Sequence, residues 1–152
     1  MKRMFMLLAV TGLVASPVYA EMTAKQAEVM KKLLAQYGEK AVEEAKNKKS
    51  KAAQSQTSFT VAAGREFYLQ RRSWQESDFT CSGCHTEDPR KDGRHIETKK
   101  PIKPLAPSTN PERFTDVKKV EKNFTEHCYD LHDRDCRAYE KGNFLTYLMS
   151  VK

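Results

Sequence analysis

Cys81-Ser82-Gly83-Cys84-His85 lies near the middle of a 152-residue chain and has the C-x-x-C-H spacing of covalent haem c attachment. The chemistry needs that spacing. Two thiols must reach the two vinyl groups on one edge of a porphyrin, while the next side chain turns beneath the ring and offers iron an imidazole. The pattern predicts one covalently bound haem c per chain, attached through Cys81 and Cys84, with His85 as proximal iron ligand. A zinc site would have to recruit Cys128 and Cys136 as well, and would leave His85 without a purpose. A thioredoxin-like redox pair should accompany a βαβ pattern, and the flanking sequence has none.

The composition agrees with a small domain built around a cofactor. Seven Phe, six Tyr and one Trp are a thin apolar inventory for 152 residues. Mean hydropathy is -0.74, which excludes a membrane-embedded body. A porphyrin supplies the large apolar plate that short helices and a long loop need to pack on.

At the N-terminus, Lys2-Arg3, the apolar run Met4 to Val14 and Val18-Tyr19-Ala20 have the charged, hydrophobic and small-residue regions of a cleavable secretory signal. The run is too short to span a bilayer. Removing residues 1–20 of 152 leaves 132, with 25 Lys+Arg against 20 Asp+Glu, a net +5. Export places the chain in an oxidising compartment, most simply a bacterial periplasm, where disulfides persist.

Residues 21–57 carry eight Lys and five Glu, with Met30, Leu33, Leu34, Tyr37 and Ala41 at helical spacing and a capping box in Thr23-x-x-Gln26. The segment reads as an amphipathic helix with a linker-like tail. Ser58 caps a predicted second helix, Phe59 to Arg71, in which Gly64 among aromatics suggests a close helix–helix contact. Thr86 to Pro111, with five prolines, reads as an extended loop lying over a surface. A short helix is predicted at Asp116 to Phe124 and an amphipathic one at Arg137 to Val151, where Phe144, Tyr147, Leu148 and Val151 recur at three, four and seven residues. The fold class is all-α, with a signal at 1–20, an N-terminal helix and linker at 21–57, and a haem domain at 58–152.

Gly64-Arg65-Glu66-Phe67-Tyr68 and Leu145-Thr146-Tyr147-Leu148 resemble the two crossing terminal helices of class I cytochromes c. Most of that family use Met as second axial ligand, from a loop before the last helix. After His85 the only Met here is Met149, inside the last predicted helix. The nitrogen donors are His95, His127 and His132, or iron is left open on one side. His95, ten residues past His85, suits a propionate contact or a solvated position. His132, between Leu131 and Asp133 with Asp130 nearby, suits an exposed ion pair. His127, before Cys128, is favoured as distal ligand, and a Cys128–Cys136 disulfide would fix its position.

Pro104-Leu105-Ala106-Pro107-Ser108, Asn110-Pro111-Glu112-Arg113-Phe114-Thr115-Asp116, Lys119-Val120-Glu121-Lys122, His127-Cys128 and Arg134-Asp135-Cys136 together resemble the sphaeroides haem protein (SHP) family. That resemblance covers about residues 59–148. It implies a monohaem c-type cytochrome in which an Asn just before the first disulfide cysteine binds ferric iron, leaves on reduction, and opens the site to oxygen or nitric oxide. Here His127 occupies the Asn position. Imidazole binds both oxidation states, so this departure favours iron that stays six-coordinate.

The sequence therefore predicts a one-electron carrier with a His85/His127 haem, not an enzyme. A haem protein that releases His127 on reduction and binds oxygen or nitric oxide is the alternative. The resemblance implies a diheme cytochrome c and a membrane b-type cytochrome as redox partners, steered by the Lys-rich surface. Nucleic acid is not expected as a partner, since ten Lys+Arg are interspersed with seven Asp+Glu over residues 86–122.

Overall fold

The structure, a computed structural model, describes residues 21–47, 58–74 and 77–152. The predicted signal at 1–20 and the linker at 48–57 lie outside the described residues.

Helix α1, Ala24–Asn47, opens with the predicted capping box. The Thr23 amide donates to Gln26 Oε1 at 2.8 Å and the Gln26 amide to Thr23 Oγ1 at 3.2 Å. Its buried stripe, Val29, Met30, Leu33, Tyr37, Ala41 and Ala45, recurs every three to four residues. Met30, Leu33 and Tyr37 are fully buried, each side chain contributing roughly 1.5–3 kcal/mol by leaving water. These residues join the same hydrophobic core as the rest of the chain.

Helix α2, Val61–Leu69, is shorter than predicted and is capped by Thr60 rather than Ser58. The Thr60 side chain accepts from the Ala63 amide at 3.1 Å. α2 packs on the last helix, α5, Ala138–Ser150. Gly64 sits where they cross: a Cβ there would lie 2.0 Å from the Asn143 carbonyl oxygen, so only glycine lets the backbones meet. Thr60 N–H donates to Asn143 Oδ1 at 2.8 Å and latches the same crossing.

Between them the chain forms two small antiparallel ribbons that the all-α expectation omitted. β1, Arg72–Trp74, pairs with β2, Ser77–Phe79. β3, Gly93–Arg94, pairs with β4, Pro101–Ile102. Pairs this short carry little apolar pattern, which is why no alternation announces them. Helix α3, Cys81–His85, lies between the ribbons.

The predicted short helix at 116–124 is instead α4, Val117–His132. Asp116 caps it, accepting from the Lys119 amide at 2.8 Å. The buried positions Val120, Phe124 and Cys128 continue one stripe at four-residue spacing, and no breaker intervenes before Asp133, whose left-handed φ of 52° ends the helix. The Cys128–Cys136 disulfide then closes the turn into α5, with 5.5 Å between Cα atoms. Among the described residues, no helix is long and apolar enough to cross a membrane.

Candidate haem site

α3 is a single turn. Thr80 caps it by accepting from the Gly83 amide at 2.7 Å, and after His85 the backbone reverses at Thr86, with φ 63°. The turn puts Cys81, Cys84 and His85 on the wall of one cavity. Two neighbours fix its backbone. Tyr68 on α2 is fully buried, and its hydroxyl reaches the carbonyl oxygens of His85, at 3.2 Å, and of Thr86. Gly93 lies against the other side, where a Cβ would meet the Cys84 carbonyl oxygen at 2.1 Å.

The cavity has a volume of about 820 Å³, far larger than the voids of a close-packed interior and within the range of ligand sites. α4 and the 103–116 loop form its other walls, with Leu105, Phe114, Val120, Phe124 and Phe144 as apolar lining. The loop is held in place. Leu105 and Ala106 amides both donate to the Pro89 carbonyl at 2.8 Å, Ser108 Oγ donates to the Val151 carbonyl at 2.8 Å, and Asn110 Nδ2 donates to the Pro104 carbonyl at 2.8 Å. From α1, buried Gln26 Nε2 reaches the carbonyls of Pro107, Asn110 and Arg113 at 3.2, 2.9 and 3.0 Å. The predicted loop over a surface is thus the cavity's cover.

Four imidazoles face this space: His85, His95, His127 and His132. Burial, aided by the Arg113 charge and by His127, pulls His85 down to about 4, so at neutral pH it is an uncharged ring with a lone pair to give. Its Nδ1 is buried without a hydrogen-bond partner. His95 Nδ1 accepts from the Glu97 and Thr98 amides, both at 3.2 Å. The remaining proton is then on Nε2, and no lone pair is left for a metal. His127 is arranged the opposite way: its Nδ1 lies 2.8 Å from the Asn123 carbonyl oxygen, one turn earlier. A carbonyl only accepts, so Nδ1 carries the proton and Nε2 keeps its lone pair, the state a metal-binding imidazole needs.

His132 departs from expectation. It is half-buried, not exposed, and its ring packs on Phe67 with centroids 5.5 Å apart. The longer α4 brings it to the cavity wall. The sequence reasoning also left Arg113 unplaced. Its guanidinium is half-buried on the cavity wall and donates to the Pro104 carbonyl at 3.3 Å and the Lys103 carbonyl at 3.2 Å. Burial lowers its pKa from the usual arginine value. Neither Tyr68 nor Gln26 was singled out for a role at the site. In the sequence Tyr68 belongs to a helix motif and Gln26 to a capping box, and their roles here depend on atoms that meet only across the fold.

The donor set suits haem c and not zinc. Cys128 and Cys136 are joined to each other, and among the described residues no group of three or more His, Cys, Asp or Glu could hold a metal ion. What remains is a pair of motif thiols, a neutral imidazole beside them and a flat-plate-sized apolar cavity. That combination fits the covalent porphyrin of a c-type cytochrome.

Known proteins agree. Residues 54–148 match the family described as Domain of unknown function (DUF1924). Cytochrome c'' of Methylophilus methylotrophus is 40% identical over 92 residues, 60% of this chain and 64% of that protein. The cytochrome c-type protein SHP of Cereibacter sphaeroides is 38% identical over 86 residues, 56% of this chain and 66% of that protein. The matched segments thus span just under two thirds of either relative's length. Oxidised cytochrome c'' superimposes with a TM-score of 0.70 at 33% identity, covering 82% of this chain and 96% of the other. Oxidised SHP, described as an oxygen-binding cytochrome c, superimposes at 0.64 and 30%, covering 78% and 94%. The chain belongs to the DUF1924 family and, with these homologues, to the SHP group of haem cytochromes.

Proposed function

We propose that the protein is an exported one-electron carrier whose single haem c is attached through Cys81 and Cys84 and ligated by His85 and His127. One observation carries this reading: His85 and His127 stand on different elements of the same cavity, beside the two motif thiols. Bound haem supplies a one-electron couple. The chain's part is to present two imidazoles, to orient that of His127 through the Asn123 carbonyl, and to keep the plate's surroundings apolar. The signal-like residues 1–20 and the disulfide support a periplasmic location. A diheme cytochrome c and a membrane b-type cytochrome are the proposed donors, drawn to a surface carrying net positive charge.

A second reading has its own observation. His127 is exposed, so its ring can turn away into water without opening the core. A solution structure of Methylophilus methylotrophus cytochrome c'', with a TM-score of 0.69 and 34% identity, concerns haem-ligand detachment in that protein. In this reading His127 leaves on reduction, and oxygen or nitric oxide takes its place.

Visible spectra of the ferric and ferrous protein, with carbon monoxide then added to the reduced sample, test both. Low-spin spectra in both states, which the gas shifts only slowly, support the electron carrier. A high-spin ferrous spectrum that shifts rapidly with carbon monoxide supports the second reading.

A further inference from the structure

A buried cation stands behind the wall that carries His127. Lys141, in the middle of α5, has a side chain only 8% exposed. Its ammonium lies 3.3 Å from Glu121 Oε2 and 3.1 Å from Asp135 Oδ1. It also stands over the rings of Phe124, at 5.7 Å, and Tyr37, at 6.0 Å. Phe124 in turn lines the haem cavity.

The two carboxylates bracket the distal segment in sequence. Glu121 is on α4 before His127, and Asp135 adjoins Cys136 after it. Lys141 therefore ties the chain to α5 on both sides of His127, while the disulfide ties Cys128 to Cys136, the residue just past Asp135. Any swing of the end of α4 and of the following turn has to strain both restraints. An apolar side chain of similar volume would fill the position without the cost of desolvating a charge. A charge retained there acts on geometry more than on packing.

We propose that Lys141 is a positioning residue for the distal side, which, by holding Glu121 and Asp135, sets how readily His127 leaves the iron and a small ligand enters. The inference rests on His127 as the distal ligand. Lys141 is not among the residues that line the cavity. It acts through the two carboxylates and the segment between them.

The test uses the holoprotein. His127→Ala comes first: a ferric spectrum identical to that of the unaltered protein would show that His127 is not the ligand, which sinks the functional reading whatever Lys141 does. With that spectrum changed, Lys141→Met removes both arms and is expected to keep the ferric low-spin spectrum and to bind carbon monoxide after reduction roughly tenfold faster. Asp135→Asn removes one arm at a half-exposed position and is expected to act in the same direction, more weakly. It also decides the matter if Lys141→Met does not fold. Leu33→Ala, in the α1 core, destabilises without touching the tether and is expected to leave the rate unchanged. Equal acceleration by Leu33→Ala, or unchanged kinetics in folded Lys141→Met or, in its absence, in Asp135→Asn, would overturn the proposal.

Discussion

The Tyr68 hydroxyl donates to the His85 carbonyl at 3.2 Å and also reaches the carbonyl of Thr86. One side chain from α2 thereby fixes the backbone of His85, the proposed proximal ligand, and of the left-handed residue that follows it. Both residues are half-buried, and Tyr68 supplies a donor to each carbonyl.

Tyr68→Phe keeps the ring and removes only the hydroxyl. The expected cost is about 1–2 kcal/mol in denaturant unfolding. Because His85 loses its backbone anchor, the midpoint potential is also expected to move, whereas a purely structural tyrosine would leave it in place. Potentiometric titration of the holoprotein checks this.

Gln26 joins α1 to the loop that covers the cavity. Gln26→Met preserves volume but leaves the carbonyls of Pro107, Asn110 and Arg113 without their shared donor. We expect a loss of about 2–3 kcal/mol and faster amide exchange across residues 104–114. Unchanged exchange in that loop would show that the contacts made by Ser108 and Asn110 suffice without α1.

Stability is expected to fall on the acid side through Glu140. Burial alone would raise this carboxyl, but two hydrogen bonds from Arg134, at 2.8 and 2.7 Å, and one from the Arg137 amide, at 2.7 Å, outweigh it and hold its pKa below the ordinary 4.5. A carboxyl depressed in the folded state contributes fully above its unfolded value and loses that contribution as pH falls below 4.5 through the folded value. Glu140→Gln should lose about 2 kcal/mol at neutral pH, less than a fully buried pair because the Arg134 side chain is 37% exposed. It should also flatten the acid limb of the melting-temperature profile below the ordinary carboxyl value of 4.5. An equally steep limb in the variant would assign the acid loss to other carboxyls.

Much of this was legible beforehand because it is local. A capping box, a glycine among aromatics and a C-x-x-C-H turn are short patterns with fixed geometry, and α1, the α2–α5 crossing and α3 lie where those patterns put them. The disulfide followed from which cysteines the motif leaves over. What was missed depends on longer reach. The helix expected to stop at Phe124 runs on, because Cys128 is the next buried step of the Val120–Phe124 stripe. Shortening α4 in this way left His132 outside, when it lines the cavity. The roles of Gln26, Tyr68 and Lys141 were hidden for another reason: Gln26 and Tyr68 have partners at least 17 residues away, and Lys141 reaches Glu121, 20 residues back on another helix.

Tyr37, Met30 and Leu33 give α1 a fully buried face, yet the family match starts at residue 54. The boundary drawn by likeness therefore runs through a single hydrophobic body. A fragment begun at residue 54 would uncover apolar surface on α5 and release the cover of the cavity, leaving an aggregation-prone remnant instead of a smaller cytochrome. For this chain, the portion that inheritance marks most visibly and the portion that can stand alone in water are different lengths of polypeptide.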